Sequence, residues 1–176
     1  MRLLAGDVGG TKTLLRCVEA DGSISAEKRY ESAAYPTFDA LLLDFGATRV
    51  DAACFAVAGP VLSGRAEVTN VGWVIEAAAL ALTFSIPRVS LINDFYAVAL
   101  GVPFLGDDDL LPLHPGTRDR AMPMAILGAG TGLGEAIVVN ARDVIPGEGG
   151  HADFAPWDEE QARLFLFLEE KYGHVN

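Results

Sequence analysis

Basic residues are scarce in this chain: 13 Lys and Arg stand against 24 Asp and Glu, a formal net charge of -11. Such a field repels nucleic acid and anionic membrane, and no basic stripe offsets it. A nucleotide bound here needs local amides and a metal ion instead. Cysteine is scarcer still. Cys17 and Cys54 are the two present, both within apolar stretches and without C-x-x-C spacing. That argues against a disulfide framework or a cysteine metal site and predicts two buried, reduced thiols, as in a reducing cytoplasm. Long apolar runs are missing too. A bilayer span needs about 20 residues, whereas the longest apolar region, 77–82, is bounded by Glu76 and Thr83. The N-terminus does not read as a signal peptide, because its Leu3-Leu4-Ala5 run soon reaches Asp7.

What the chain does have is apolar content, 51% over 176 residues. That suits one domain or one and a half, with a core that needs no staples. Residues 3–5 read as a buried strand. Residues 13–19 and 24–30 read as two further strands joined by an Asp21-Gly22 hairpin signal. Thr37 caps a helix through Leu41, Leu42 and Phe45, closed by Gly46. A buried strand over 52–58, a polar strand over 64–69, a helix over 73–84 and a strand over 89–92 follow. A helix starts after Asp94 and is interrupted at 101–103. The acidic, proline-containing stretch around 106–120 reads as a linker or surface loop. The expected organisation is a small domain over 1–106, a linker over 107–120 and the opening of a second domain over 121–176. In the latter, strands over 124–127 and 135–140 flank a glycine turn, residues 146–151 form a tight loop, and Asp158 caps a last helix that Gly173 stops. Antiparallel strands followed by alternating strands and helices predict an α/β fold with a mixed sheet flanked by helices. In the last helix Leu164, Phe165, Leu166, Phe167 and Leu168 are consecutive and cover its whole circumference. Such a helix needs cover on every side, from a missing C-terminal half or a partner subunit.

Four places carry chemistry. Asp7-Val8-Gly9-Gly10-Thr11 follows the first strand, and its glycines suit positive φ and converging amides around an anion. Asp7 is positioned to hold magnesium through water. A plain Gly-Gly β-turn is the alternative. The second turn alternates Gly128, Gly130, Gly132 and Gly134 about Thr131, more glycine than a hairpin needs. No Gly-Lys-Ser/Thr follows, so it is not a P-loop, and no helix follows, so a dinucleotide-binding unit lacks its context. Asn93 and Asp94 end a strand where open α/β sheets bind ligands, although Asp94 also suits an ordinary helix N-cap. Glu148 and His151, in a loop rich in glycine, are spaced to meet one polyol. Asn70 suits a cap or a ligand contact, and Trp73 suits the core better than a sugar ring.

These segments, together with Thr69-Asn70 and Trp73 and with Gly147-Glu148-Gly149-Gly150-His151-Ala152-Asp153-Phe154-Ala155-Pro156, resemble the bacterial glucokinases, in order over the entire chain. That family belongs to the sugar-kinase, heat-shock-protein and actin superfamily with its ribonuclease-H-like fold. The resemblance implies ATP-dependent phosphorylation of D-glucose at O6, with Mg²⁺. It implies Asp94 as general base, and Asn93, Asn70, Glu148 and His151 on the sugar. Asp7, Gly9, Gly10, Thr11, Gly130, Thr131, Gly132 and Gly134 are implied around the phosphates. Lys12 stands where bacterial glucokinases commonly carry Asn, and related sugar kinases carry Lys there. The cysteine-rich zinc motif of the related repressor-and-kinase group is absent. Family members run well beyond residue 176 and supply another glucose-binding Glu and the adenine pocket, so weak or absent turnover is expected of this chain alone. A glucose-binding module without catalysis is the second reading. Both readings expect the four segments to share one crevice.

Overall fold

The computed structural model describes residues 1–176 except 47, 48, 115, 118, 120, 130–132, 141, 142, 148 and 176. The chain divides into two compact units, Met1–Gly101 and Val102–Asn176. The sequence placed the break near residue 106, in the acidic stretch.

In the first unit, β1 (Leu3–Val8), β2 (Lys12–Val18), β3 (Ile24–Glu31), β4 (Ala52–Val57) and β8 (Val89–Asn93) form one sheet. Its order is β3-β2-β1-β4-β8. β1 pairs antiparallel with β2 and parallel with β4, and β4 pairs parallel with β8. The parallel pairing sends β1, β4 and β8 in one direction, so their carboxyl ends lie side by side. A second, small sheet joins β5 (Val61–Leu62), β6 (Arg65–Val68) and β7 (Trp73–Glu76). The helices are α1 (Phe38–Phe45), α2 (Ala77–Thr83) and α3 (Asp94–Gly101).

Residue alternation decides which sheet face is covered. Leu4, Val8, Leu15, Phe55 and Val57 point to one side and are buried there against Phe38, Leu41 and Leu42 of α1 and against Trp73 and Ile75 of β7. α1 is held at both ends: Thr37 Oγ1 accepts the Ala40 amide at 3.1 Å, and Gly46 closes it at φ 73°. Gly6 belongs to the covered face. A Cβ on it would lie 2.6 Å from Phe55 Cδ1 and 2.8 Å from Leu15 Cδ2, so the two neighbouring strands fill the space above it.

Two expectations change in this unit. Residues 73–76 are strand, not the first turn of a helix. Their alternating burial pairs Trp73 with Val68 and Ile75 with Ala66, and the helix begins only at Ala77. Strand pairing overrides the weak helix preference of the segment. Cys17 is buried, as expected, but Cys54 is exposed, because it alternates with Ala53 and Phe55 onto the opposite sheet face. Both thiols are free.

In the second unit, β9 (Met124–Ala129), β10 (Leu133–Val138) and β11 (Val144–Gly147) form an antiparallel sheet of order β11-β10-β9. Of the expected tight loop over 146–151, Pro146 and Gly147 end β11 and Gly149–His151 form a single 3-10 turn. The last helix, α4 (Glu159–Tyr172), has Asp158 accepting the Gln161 amide at 2.8 Å and Gly173 at φ 79° as its stop. None of the residues of α4 is buried, and Leu166 and Phe167 are 61% and 58% exposed. Phe165 packs on Phe154, with ring centroids 6.4 Å apart. No helix among the described residues is long and apolar enough to cross a membrane.

Candidate functional site

The carboxyl ends of β1 and β8 bring the first group of site residues together. At the end of β8 the backbone passes directly into α3, and a helix start leaves amides without partners. Asn93 takes the capping role: its Oδ1 accepts the Tyr96 amide at 2.9 Å. The sequence allowed that role to Asp94, which is instead the first residue of the helix. Asp94 Oδ1 accepts the Phe95 amide at 2.8 Å and the Asn93 Nδ2 amide at 3.0 Å. Its Oδ2 makes no hydrogen bond among the described residues, and the side chain is half-buried. One oxygen is therefore anchored while the other remains able to take a proton. The second N–H of Asn93 donates to the Gly59 carbonyl at 3.1 Å. Both donors of Asn93 are thus used within the protein, and only a lone pair on Oδ1 remains for a ligand.

Asp7 lies on the same sheet face as Ile92, in register through Ala56. Its carboxyl is raised above the usual value of 3.8, first by desolvation and then by the charge of Asp94, against an opposing pull from Arg29. The solvent-accessible area of Asp7 remains large, so crowding around the carboxyl, not enclosure, removes its water. Two carboxylates that feel each other at a strand end suit a hard cation with oxygen ligands. No group of three or more His, Cys, Asp and Glu side chains forms a metal cluster among the described residues. A bound ion would keep several waters, as Mg²⁺ does.

The sign of the Asp7 shift gives a prediction. Between 3.8 and its raised native pKa, the folded chain holds the proton more tightly than the unfolded one. Asp7 therefore costs no stability below that window, and stability falls as pH rises through it. Asp7→Asn should raise Tm at pH 7, and its advantage should shrink to nothing as pH drops below 3.8. Thermal melts of both proteins across pH 3–8 check this.

The glycine turn between β1 and β2 works differently from expectation. Neither Gly9 nor Gly10 has positive φ, so backbone freedom is not their reason. Space is. A Cβ on Gly10 would lie 2.6 Å from Asn70 Cβ, and one on Gly9 would lie 3.0 Å from the Lys12 carbonyl oxygen. Asn70 does not cap a helix. It sits in the turn between β6 and β7, where Val71 and Gly72 bond back to Val68 and Thr69, and it covers Gly10. The Gly9 amide donates to the Lys12 carbonyl at 3.0 Å. That leaves the amides of Gly10 and Thr11, which have no partner among the described residues, as the donors open to an anion. Gly10→Ala must push Asn70 or the turn aside. It should cost about 1–3 kcal/mol of stability and weaken any phosphate held on the Gly10 and Thr11 amides. Calorimetry and a urea melt separate the two effects.

In the second unit Gly134 faces Gly128 directly across the β9–β10 pair. Of the alternating turn, Gly130, Thr131 and Gly132 lie outside the described residues, as does Glu148. The turn carrying His151 packs on the same hairpin: a Cβ on Gly150 would collide with the Leu133 carbonyl, and one on Gly149 with the Glu135 carboxylate. This unit therefore places the His151 turn beside the glycine hairpin. Trp73 is core, 2% exposed, with its indole N–H donating to the Tyr35 carbonyl at 3.2 Å. Sequence reasoning missed Gly59, Thr13 and Ser32, which shape the site by contacts between residues distant in the chain.

A mixed sheet in the order β3-β2-β1-β4-β8, with a glycine turn after β1 and a carboxylate after β8, has the ribonuclease-H-like architecture of actin-like ATPases and sugar kinases. The family model for glucokinase matches residues 4–176. The chain belongs to the glucokinase family. It is 43% identical over 182 positions to a glucokinase of Nostoc sp. strain PCC 7120, covering 97% of this chain and 53% of that one. A crystal structure of glucokinase from an Antarctic psychrotroph superposes with a TM-score of 0.81 at 28% identity, covering 99% of this chain and 58% of that one. A ROK family glucokinase from Streptomyces griseus, in complex with glucose and AMPPNP, shares the fold at a TM-score of 0.59 and 22% identity, covering 89% of this chain and 52% of that one. The chain spans about half the length of the curated relatives it matches.

Proposed function

We propose that this chain carries glucose-phosphorylating machinery, transferring the γ-phosphoryl group of ATP to O6 of D-glucose. The observation that carries the reading is the state of Asp94: one carboxylate oxygen is held by Phe95 and Asn93, and the other has no hydrogen-bond partner among the described residues. Oδ2 takes the O6 proton as the O6–phosphorus bond forms and the bond to the β-phosphate oxygen breaks, releasing ADP. Phosphoryl transfer demands mainly positioning and charge neutralisation. Gly10 and Thr11 donate their amides to phosphate, beside Gly9. In the second unit Gly134, with Gly130, Thr131 and Gly132, contacts the phosphates. Asn70, Asn93, Glu148 and His151 meet sugar hydroxyls. Asp7 would hold Mg²⁺ through water, and the ion would offset phosphate charge. The bound glucose and AMPPNP of the Streptomyces griseus neighbour support the ligand pair. The reaction belongs in the cytoplasm, at the entry of glucose into glycolysis.

The test is formation of glucose 6-phosphate from glucose, ATP and Mg²⁺ by this chain, with glucose and nucleotide binding followed by calorimetry. Turnover that depends on Asp94 supports the reading. Glucose binding without nucleotide binding or turnover supports a non-catalytic glucose-binding module instead. Binding of neither ligand overturns both.

A further inference from the structure

Behind the first glycine turn lie two hydroxyl groups without any exposed area, those of Thr13 and Ser32. They are the buried polar side chains among the described residues, and burying a hydroxyl is costly unless it is bonded. Ser32 Oγ donates to the Gly9 carbonyl oxygen at 2.7 Å. A serine hydroxyl has one hydrogen. With that hydrogen committed to Gly9, the 3.0 Å contact between Thr13 Oγ1 and Ser32 Oγ must be donated by Thr13. The result is a directed chain, from Thr13 to Ser32 to the Gly9 carbonyl. The Ser32 amide also donates to the Thr11 carbonyl at 2.9 Å. One residue, 23 positions away from Gly9 in sequence, thus holds two carbonyls of the turn.

Peptide geometry turns this brace into an orientation. In a planar trans peptide, the C=O of one residue and the N–H of the next point in opposite directions. Holding the Gly9 carbonyl toward buried Ser32 therefore aims the Gly10 N–H away from the core. Gly10 carries one of the two amides of this turn without a partner among the described residues. A carbonyl that swung outward would present a negative dipole end in place of that donor. We propose that Ser32, fixed by Thr13, is a positioning residue that sets the Gly9–Gly10 peptide for binding a nucleotide phosphate. The inference rests on the reading of this turn as a phosphate site.

Three variants test it: Ser32→Ala, the near-isosteric Thr13→Val, and Thr13→Ser, which keeps the hydroxyl. Hydrogen exchange reads the brace at two bonded amides, Gly9 and Ser32, with Phe55 as the reference for the sheet. Calorimetry reads Mg-ATP and glucose affinities on the same samples. Ser32→Ala and Thr13→Val should speed exchange at Gly9 and Ser32 by about tenfold, the scale of one lost hydrogen bond, and leave Phe55 unchanged. Both should weaken Mg-ATP about tenfold at unchanged glucose affinity, and Thr13→Ser should behave as wild type. Exchange that rises equally at Phe55, or Mg-ATP affinity that stays intact despite faster local exchange, overturns the positioning role. Wild-type protein that fails to bind Mg-ATP overturns the phosphate reading itself, while the exchange measurements still decide whether Ser32 braces the turn. If Ser32→Ala does not fold, Thr13→Val and Thr13→Ser carry the comparison.

Discussion

Asp94→Asn is expected to lower the rate of glucose 6-phosphate formation by about 10²–10⁴-fold, the contribution of a well-placed general base. The substitution is nearly isosteric. The amide oxygen can still accept from Phe95 N, as Oδ1 does now at 2.8 Å. What changes is the second atom, because an NH₂ group replaces the unpartnered oxygen and cannot accept a proton. The loss should therefore fall on kcat, with glucose and Mg-ATP affinities changed by less than about tenfold. The fold should survive, since the cap at the start of α3 belongs to Asn93. Removing the charge also relieves Asp7, whose carboxyl Asp94 helps to raise. Steady-state rates at saturating glucose and ATP decide the matter. An unchanged kcat would remove Asp94 as the base.

Trp73→Ala should cost about 3–5 kcal/mol of stability, the range for truncating a large buried aromatic. Domains of this kind hold only about 5–15 kcal/mol in total, so the variant approaches unfolding. Trp73 joins the small sheet to α1 and to the large sheet: its ring lies 5.9 Å from Phe38, which lies 5.0 Å edge-on to Phe55. Truncation empties that contact and strands the Tyr35 carbonyl, which the indole now satisfies. Trp73→Phe keeps most of the packing and loses the hydrogen bond, for about 1 kcal/mol beyond the smaller ring. Urea unfolding of the three proteins measures the series. Normal stability in Trp73→Ala with a loss of glucose affinity would mean that the indole faces the sugar, not the core.

Much of the candidate site was legible in order along the chain. Asp94 stood out because an apolar strand ran straight into it, and the glycine turns stood out because glycine was concentrated where strands ended. The roles within those segments were not legible. Adjacent residues Asn93 and Asp94 both suit an N-cap, and only the path of the backbone into α3 assigns the cap to Asn93 and leaves Asp94 with a free oxygen. Positive φ was the natural reason for Gly9 and Gly10, yet their reason is the closeness of Asn70 and of the Lys12 carbonyl. Asn70 is 60 residues from Gly10 in the numbering, so no local pattern reveals the contact.

Local physical chemistry within the sequence settled the order of most strands and helices, the caps at Thr37 and Asp158, the stops at Gly46 and Gly173, and the family resemblance carried by its motifs. Each depends on neighbours a few residues apart, and such neighbours are visible in a linear string. Tertiary structure alone decided that residues 73–76 form a strand, that Cys54 faces outward, that Gly6 must be small beneath Phe55 and Leu15, and that Ser32 holds the Gly9 carbonyl. Those outcomes depend on which strands lie side by side and which face each residue meets. Pairing between distant segments sets both.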